Sequence, residues 1–168
     1  DGLYQSIGHY WEWASLYCCG SRHDAGKVMG LASFGDSELV RTKDHNILTI
    51  DSKGRLKLDY SKIKTQYKEP NVFGFDLSNS THHQNVACEV QSNTEEVILK
   101  LLAMLKSKHP TETLYLSGGV ALNVVVNEKI IRSNMFKNVI LNGSVEDNGT
   151  AIGAGLAASL DLGEVRKT

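Results

Sequence analysis

Three features of this 168-residue sequence predict an α/β fold containing a parallel pair of strands. First, the apolar runs 114–116 and 139–141 are each followed closely by a segment of helical pattern. Second, the order from residue 93 onward is helix, strand, helix, strand, helix, which favours right-handed crossovers and places the carboxyl ends of both strands at one sheet edge. Third, a 41% hydrophobic content with only two prolines over this length supports one domain with a sizeable core, with or without an appendage.

Taken in order, residues 2–17 are rich in aromatics and predict a helix with Leu3, Ile7, Tyr10, Trp11 and Ala14 on one side. Trp11 and Trp13 then point to opposite sides, anchoring a core or a contact. The chain is expected to open inside structure, without a leader: no basic stretch precedes an apolar one. "GSRHDAGKVMGLASFGD", residues 20–36, carries glycines at 20, 26, 30 and 35 and reads as a loop with room for one short helical turn. "LTIDSKGRLKLDY" alternates Leu48, Ile50, Leu56 and Leu58 about an Asp-Ser-Lys-Gly turn, the pattern of a hairpin. Residues 41–70 hold eight Lys or Arg against four Asp or Glu, which marks either a solvated hairpin face or a site for an anionic ligand.

The second half is punctuated more clearly. "NTEEVILKLLAMLKSKHP" offers Asn93 as a cap with Glu96 three residues on, an apolar face of Val97, Ile98, Leu101, Leu102 and Leu105, and Pro110 as a stop. Then follow the strand 114–116, a turn at Gly118-Gly119, a helix from about Asn123 to Ser133, the strand 139–141, the loop "NGSVEDNG" and a small-residue helix "TAIGAGLAASL". Parallel strands lie about 4.8 Å apart, so the Gly118-Gly119 turn and the loop around Asp147 are expected to face one crevice.

Charge narrows the partners. A net charge of −1 and a pI near 6.6 provide no global basic field for nucleic acid or an anionic membrane. No run approaches the roughly 20 apolar residues that cross a bilayer, so the expected setting is cytoplasmic. Cys18, Cys19 and Cys88 make no disulfide framework and lack zinc-ligand spacing; buried, reduced thiols are expected. None of the six histidines stands four residues from another, as a helical chelating pair requires.

Several residues are candidates for chemistry. Glycine lets a ligand approach amides that a Cβ would shield, so Gly118 and Gly119 fit a phosphate; they fit a plain strand-to-helix turn equally. Asp147 stands just before a helix whose Ala151, Ala154, Gly155 and Ala158 permit close packing. It reads as a helix cap or as a ligand for a cation that bridges phosphate oxygens. Lys27 is a point charge for a phosphate or a solvated loop lysine. His82 and His83 are candidate general bases or a surface feature at a helix start.

"AGKVMGLASFG", "LYLSGGVALN" and "VEDNGTAIGAG", in this order and spacing, resemble the O-carbamoyltransferases of the nodulation and antibiotic-tailoring type over about residues 2–160. The resemblance implies an actin/hexokinase-like (ribonuclease H-like) ATPase lobe with a mixed sheet flanked by helices. It implies further that residues 1–168 are the second lobe of a catalytic domain related to the tRNA threonylcarbamoyl-transfer proteins. The paired metal histidines, in an amino-terminal lobe, and a separate adenylate-forming domain are then absent from this chain, which by itself is expected to be inactive.

In that family, carbamoyl phosphate and ATP give a carbamoyl-adenylate, whose carbamoyl group passes to the hydroxyl of a small-molecule acceptor. By position, the resemblance implies that Gly118, Gly119, Asn123, Lys27 and Gly30 bind the nucleotide and that Asp147 holds a divalent metal, iron or magnesium. It assigns no catalytic residue. The chain departs from the family form at Ser33-Phe34, where Pro-Tyr is usual, and at Asn148, where alanine is common. A tRNA-modifying transferase would need a basic surface that the near-neutral charge does not provide, and a nucleotide- or partner-binding fragment without turnover is the alternative outside enzymes.

Overall fold

The computed structural model describes residues 5–41, 47–66, 80–141, 144 and 147–163. Its organising element is a 29-residue helix, α5 (Ser80–Lys108), against which elements from both earlier and later in the sequence pack. Helices α1 (Ile7–Cys19), α2 (Ala25–Ala32) and α3 (Ser37–Arg41) precede it, with the strands β1 (Leu48–Ile50) and β2 (Leu56–Leu58) and the helix α4 (Tyr60–Gln66). After it come β3 (Thr113–Leu116), a 3-10 turn (Gly119–Leu122), α6 (Val124–Arg132), β4 (Asn138–Leu141) and α7 (Asp147–Asp161).

Helix α1 forms as its pattern predicts. Ser6 accepts a hydrogen bond from the His9 amide at 3.0 Å, and Gly20 ends the helix in the left-handed conformation. Ile7, Tyr10, Trp11, Ala14 and Cys18 are buried on one side, and Trp13 is half-buried against the same core. Leu3 lies outside the described residues. Across the core stand Val28 and Ala32 of α2 and Val86, Val90, Val97, Ile98 and Leu102 of α5. Leu105, expected on the same face, is exposed.

Three expectations are corrected. Residues 25–32 are a helix and not a loop: burying Val28 and Ala32 against α1 and α5 outweighs the low helix propensity of Gly26 and Gly30. Gly35 has a packing reason, since a Cβ there would lie 2.4 Å from Cys88 Cβ and 2.5 Å from the Gln84 carbonyl oxygen. Asn93 begins no helix. It sits in the middle of α5, fully buried, where its side chain donates to the Leu48 carbonyl at 2.9 Å and accepts from the Leu48 amide at 3.0 Å, as a neighbouring strand would.

The third correction concerns the sheet. Among the described residues, β1 and β2 pair antiparallel as the hairpin pattern predicts, and β3 and β4 pair parallel, in two separate two-stranded sheets instead of one mixed sheet. The hairpin packs on α5 through Leu48 and Leu58, and its edge polar groups meet the Asn93 side chain. The parallel pair runs in register from Thr113 opposite Asn138 to Leu116 opposite Leu141, so both strands end at the same edge. Tyr115, Ile140 and Leu141 on this pair are exposed, as are Ile152, Leu156 and Leu160 on α7. Ala151, Ala154, Gly155 and Ala158, whose small size permits close packing, are exposed.

Candidate functional site

The Gly-Gly turn does not lead directly into a helix. Gly118 takes φ +89° and ψ 164°, a conformation open in practice only to glycine, and Gly119 starts the 3-10 turn. Within the turn the Ala121 amide donates to the Gly118 carbonyl at 2.9 Å and the Asn123 amide to the Val120 carbonyl at 3.1 Å. The first amides of such a turn, those of Gly119 and Val120, precede any acceptor the turn itself supplies. Gly119 has ordinary negative φ and open space where a Cβ would stand.

Asn123 caps α6, its Oδ1 accepting from the Val126 amide at 3.0 Å. The same buried side chain exchanges hydrogen bonds with Gln91 of α5, at 2.9 Å from Asn123 Nδ2 to Gln91 Oε1 and 3.2 Å in return. Gln91 also donates to Glu95 at 2.7 Å, and Lys129 of α6 completes the chain by pairing with Glu95. Asn127 Nδ2 donates to the Ala121 carbonyl at 2.7 Å. The turn is thus bolted to α5 and α6 through side-chain amides whose polar atoms are satisfied inside the protein.

Beside this turn lies a cavity of about 550 Å³. Gly119, Val120, Leu122 and Asn123 form one side of it. Helix α1 supplies Gly8, Trp11 and Glu12, and the start of α2 with the connection before it supplies Arg22, His23, Ala25, Gly26 and Met29. Trp11 is held in place by donating Nε1–H to Thr94 Oγ1 at 3.0 Å. Glu12 pairs with His9 at 2.9 Å. Arg22 and His23 are exposed at the rim.

Of the residues singled out from the sequence, the structure brings Gly119 and Asn123 to the cavity and leaves Gly118, Lys27 and Gly30 off its lining. Lys27 is on α2, 72% exposed, with Nζ 3.0 Å from Asp24 Oδ1. The backbone of Asp147 opens α7, but its side chain lies outside the described residues. Among the described residues, none of α7 lines the cavity, and no group of three or more His, Cys, Asp and Glu side chains is placed to hold a metal ion. Glu12, Arg22 and His23, which also line the cavity, were not singled out from the sequence; the one available signal was the run Arg22-His23-Asp24 between Gly20 and Gly26.

The other titratable candidates lie elsewhere. His82 and His83 do stand at the start of α5, where His82 Nε2 and the Tyr17 hydroxyl are 2.9 Å apart and both rings meet Tyr17 edge-on. The cysteines are free thiols, Cys18 and Cys88 buried and Cys19 half-buried. Burial, with the neighbouring Cys19, pushes the Cys18 thiol up from 9.0 to about 12. Hydrogen bonds from Arg55 hold the exposed Asp51 carboxyl below its usual range, so at the described hairpin turn one Arg is matched by an Asp.

A family profile described as Carbamoyltransferase N-terminus matches residues 2–156. The chain is similar to an uncharacterised protein of Synechocystis, with 30% identity over 158 residues that cover 86% of this chain and 26% of that protein. It is 26% identical over 161 residues to nodulation protein NolO of Bradyrhizobium diazoefficiens, covering 95% of this chain and 29% of the relative. Against 3'-hydroxymethylcephem-O-carbamoyltransferase of Streptomyces clavuligerus the identity is 27% over 143 residues, covering 81% and 25%. The chain thus spans between a quarter and a third of the length of these relatives. Among the described residues no helix is long and apolar enough to cross a membrane.

Proposed function

Since the chain belongs to the carbamoyltransferase N-terminal family, we propose that it forms part of an ATP-dependent O-carbamoyltransferase of the cytoplasm. The observation that carries this reading is the family match over residues 2–156, which takes in all three motifs, with a relative named for O-carbamoyl transfer to a hydroxymethyl group. In the proposed reaction carbamoyl phosphate, ATP and water yield carbamoyl-adenylate: water cleaves the donor to carbamate and inorganic phosphate, a carbamate oxygen bonds to the α-phosphorus of ATP, and pyrophosphate leaves. The acceptor's hydroxyl oxygen then bonds to the carbamoyl carbon, the bond from that carbon to the adenylate oxygen breaks, AMP leaves and the hydroxyl proton passes to solvent.

The nucleotide is assigned to the cavity beside Gly119. Its volume falls within the roughly 300–1,000 Å³ of small-molecule sites, and a glycine at 119 keeps the turn's leading amides open to a phosphate. Asn123, in this reading, acts by holding the turn. Asp147 would supply one ligand to an iron or magnesium ion, which would polarise phosphate oxygens, with the paired histidines of the family's amino-terminal lobe as its other ligands. The described side chains hold no metal group of their own, so no step is assigned to the ion.

The parallel β3–β4 pair supports reading these residues as a partial actin/hexokinase-like lobe. Parallel strands are ordinarily covered on both faces and seldom stand as a pair. Here Tyr115, Ile140, Leu141 and the apolar side chains of α7 are exposed, a surface suited to the amino-terminal lobe and adenylate-forming domain of a longer protein. Incubating the full-length protein with isotope-labelled carbamoyl phosphate, ATP and a set of hydroxylated acceptors tests the reading. Label on an acceptor oxygen is expected; label retained by the donor with every acceptor, while ATP stays intact, would overturn it.

A further inference from the structure

Building on the nucleotide reading of the cavity, we propose that Arg22 and Glu12 select its ligand, Arg22 taking the phosphate charge and Glu12 a ribose hydroxyl. A phosphate needs a cation that is not already neutralised. Lys27, the cation of the glycine-rich motif, is paired with Asp24 and lies off the lining. Arg22 is on the lining, three residues after the α1 helix ends, and makes no ion pair among the described residues. Its planar fork matches two phosphate oxygens at once, which a lysine cannot do.

Glu12 lines the same cavity from α1. A carboxylate repels phosphate and accepts hydrogen bonds from a sugar diol, the role acidic residues play beside ribose in other nucleotide sites. One carboxyl oxygen, Oε2, pairs with His9 at 2.9 Å, which fixes the side chain while Oε1 faces no further partner among the described residues. Arg22 and Glu12 do not pair with each other. A cavity lined by a cation without an ion pair among the described residues and by an anchored carboxylate favours a ligand that carries both an anionic group and hydroxyls. Trp11 and Met29 add apolar lining to the same cavity, and a ribonucleotide offers all three kinds of surface.

Equilibrium binding of ATP, 2'-deoxy-ATP and adenosine to the full-length protein tests the assignment. Arg22→Met is expected to weaken ATP by about tenfold or more while adenosine binding stays within about twofold, because a charge-assisted contact to phosphate is lost. Glu12→Gln is expected to erase the preference for ATP over 2'-deoxy-ATP and to leave the ratio of ATP to adenosine affinity unchanged. Lys100→Met, on the exposed side of α5, serves as the control with wild-type values. Unchanged ATP affinity in Arg22→Met, or a parallel loss of ATP and adenosine, would overturn the Arg22 assignment while the nucleotide reading stands. Wild-type protein that binds neither ATP nor adenosine would overturn both.

Discussion

The Asn93 side chain and the Leu48 backbone exchange two hydrogen bonds, of 2.9 and 3.0 Å, 45 residues apart in sequence and wholly out of solvent. A helical side chain here takes the place of a β-strand partner, satisfying the edge of the hairpin where it meets α5. Asn93→Ala would leave a buried amide and carbonyl unpaired. It is expected to lower stability by about 2–3 kcal/mol in denaturant unfolding, despite the better helix propensity of alanine. A loss under about 0.5 kcal/mol would show that water replaces the side chain.

Gly118 and Gly119 are adjacent but do different things. Gly118→Ala forces a side chain into φ +89°, ψ 164° and is expected to cost about 1–3 kcal/mol. Gly119→Ala has neither a φ penalty nor a clash and is expected to leave the melting temperature nearly unchanged. Gly119→Val, larger and on the cavity side, is expected to weaken ATP binding by the full-length protein while the fold survives. Unaltered affinity in that variant would take Gly119 out of the site.

The Cys18 thiol is pushed up to about 12 by burial. Its neutral form is therefore favoured by the folded state: the associated stability is complete below the unfolded thiol's pKa and is lost as pH rises from 9.0 toward 12. At pH 8 the Cys18 thiol is therefore held in its protonated, unreactive form. Alkylation followed by peptide mass spectrometry is expected to modify half-buried Cys19 first and Cys18 only after unfolding. Equal native rates at the two sites would contradict the burial.

Asp147 separates a capping role from a metal role by one substitution. Asn caps a helix about as well as Asp, so Asp147→Asn is expected to shift stability by a few tenths of a kcal/mol. If the carboxylate is a metal ligand, the same change removes a charge from the ion's coordination sphere. Metal content and carbamoyl transfer are then expected to fall together in the full-length protein while the melting temperature holds. Normal metal content in Asp147→Asn would return the residue to capping.

The elements after residue 110 were legible because most have their own local punctuation: β3, α6 and β4 fall where the apolar runs and Asn123 place them, whereas α7 begins at Asp147, three residues earlier than the loop reading of Asp147-Asn148-Gly149 implied. The first half was harder for a physical reason. Gly26 and Gly30 signal loop locally, and only burial of Val28 and Ala32 against α1 and α5 makes residues 25–32 a helix. Asn93 followed by Glu96 has the form of a capping box, and nothing local reveals that its partner is a strand 45 residues away. The site was legible in the same measure. Gly119 and Asn123 sit in a recognisable turn, whereas Glu12 and Arg22 reach the cavity only through the packing of α1 and α2.

The most direct measurement is the fate of ATP in the full-length protein supplied with carbamoyl phosphate, followed by separate assays of AMP and pyrophosphate. Carbamoyl transfer through an adenylate predicts AMP and pyrophosphate in equal amounts, formed only when both substrates are present and accelerated by a hydroxylated acceptor. Release of ADP and phosphate instead, or no dependence on carbamoyl phosphate, would contradict it.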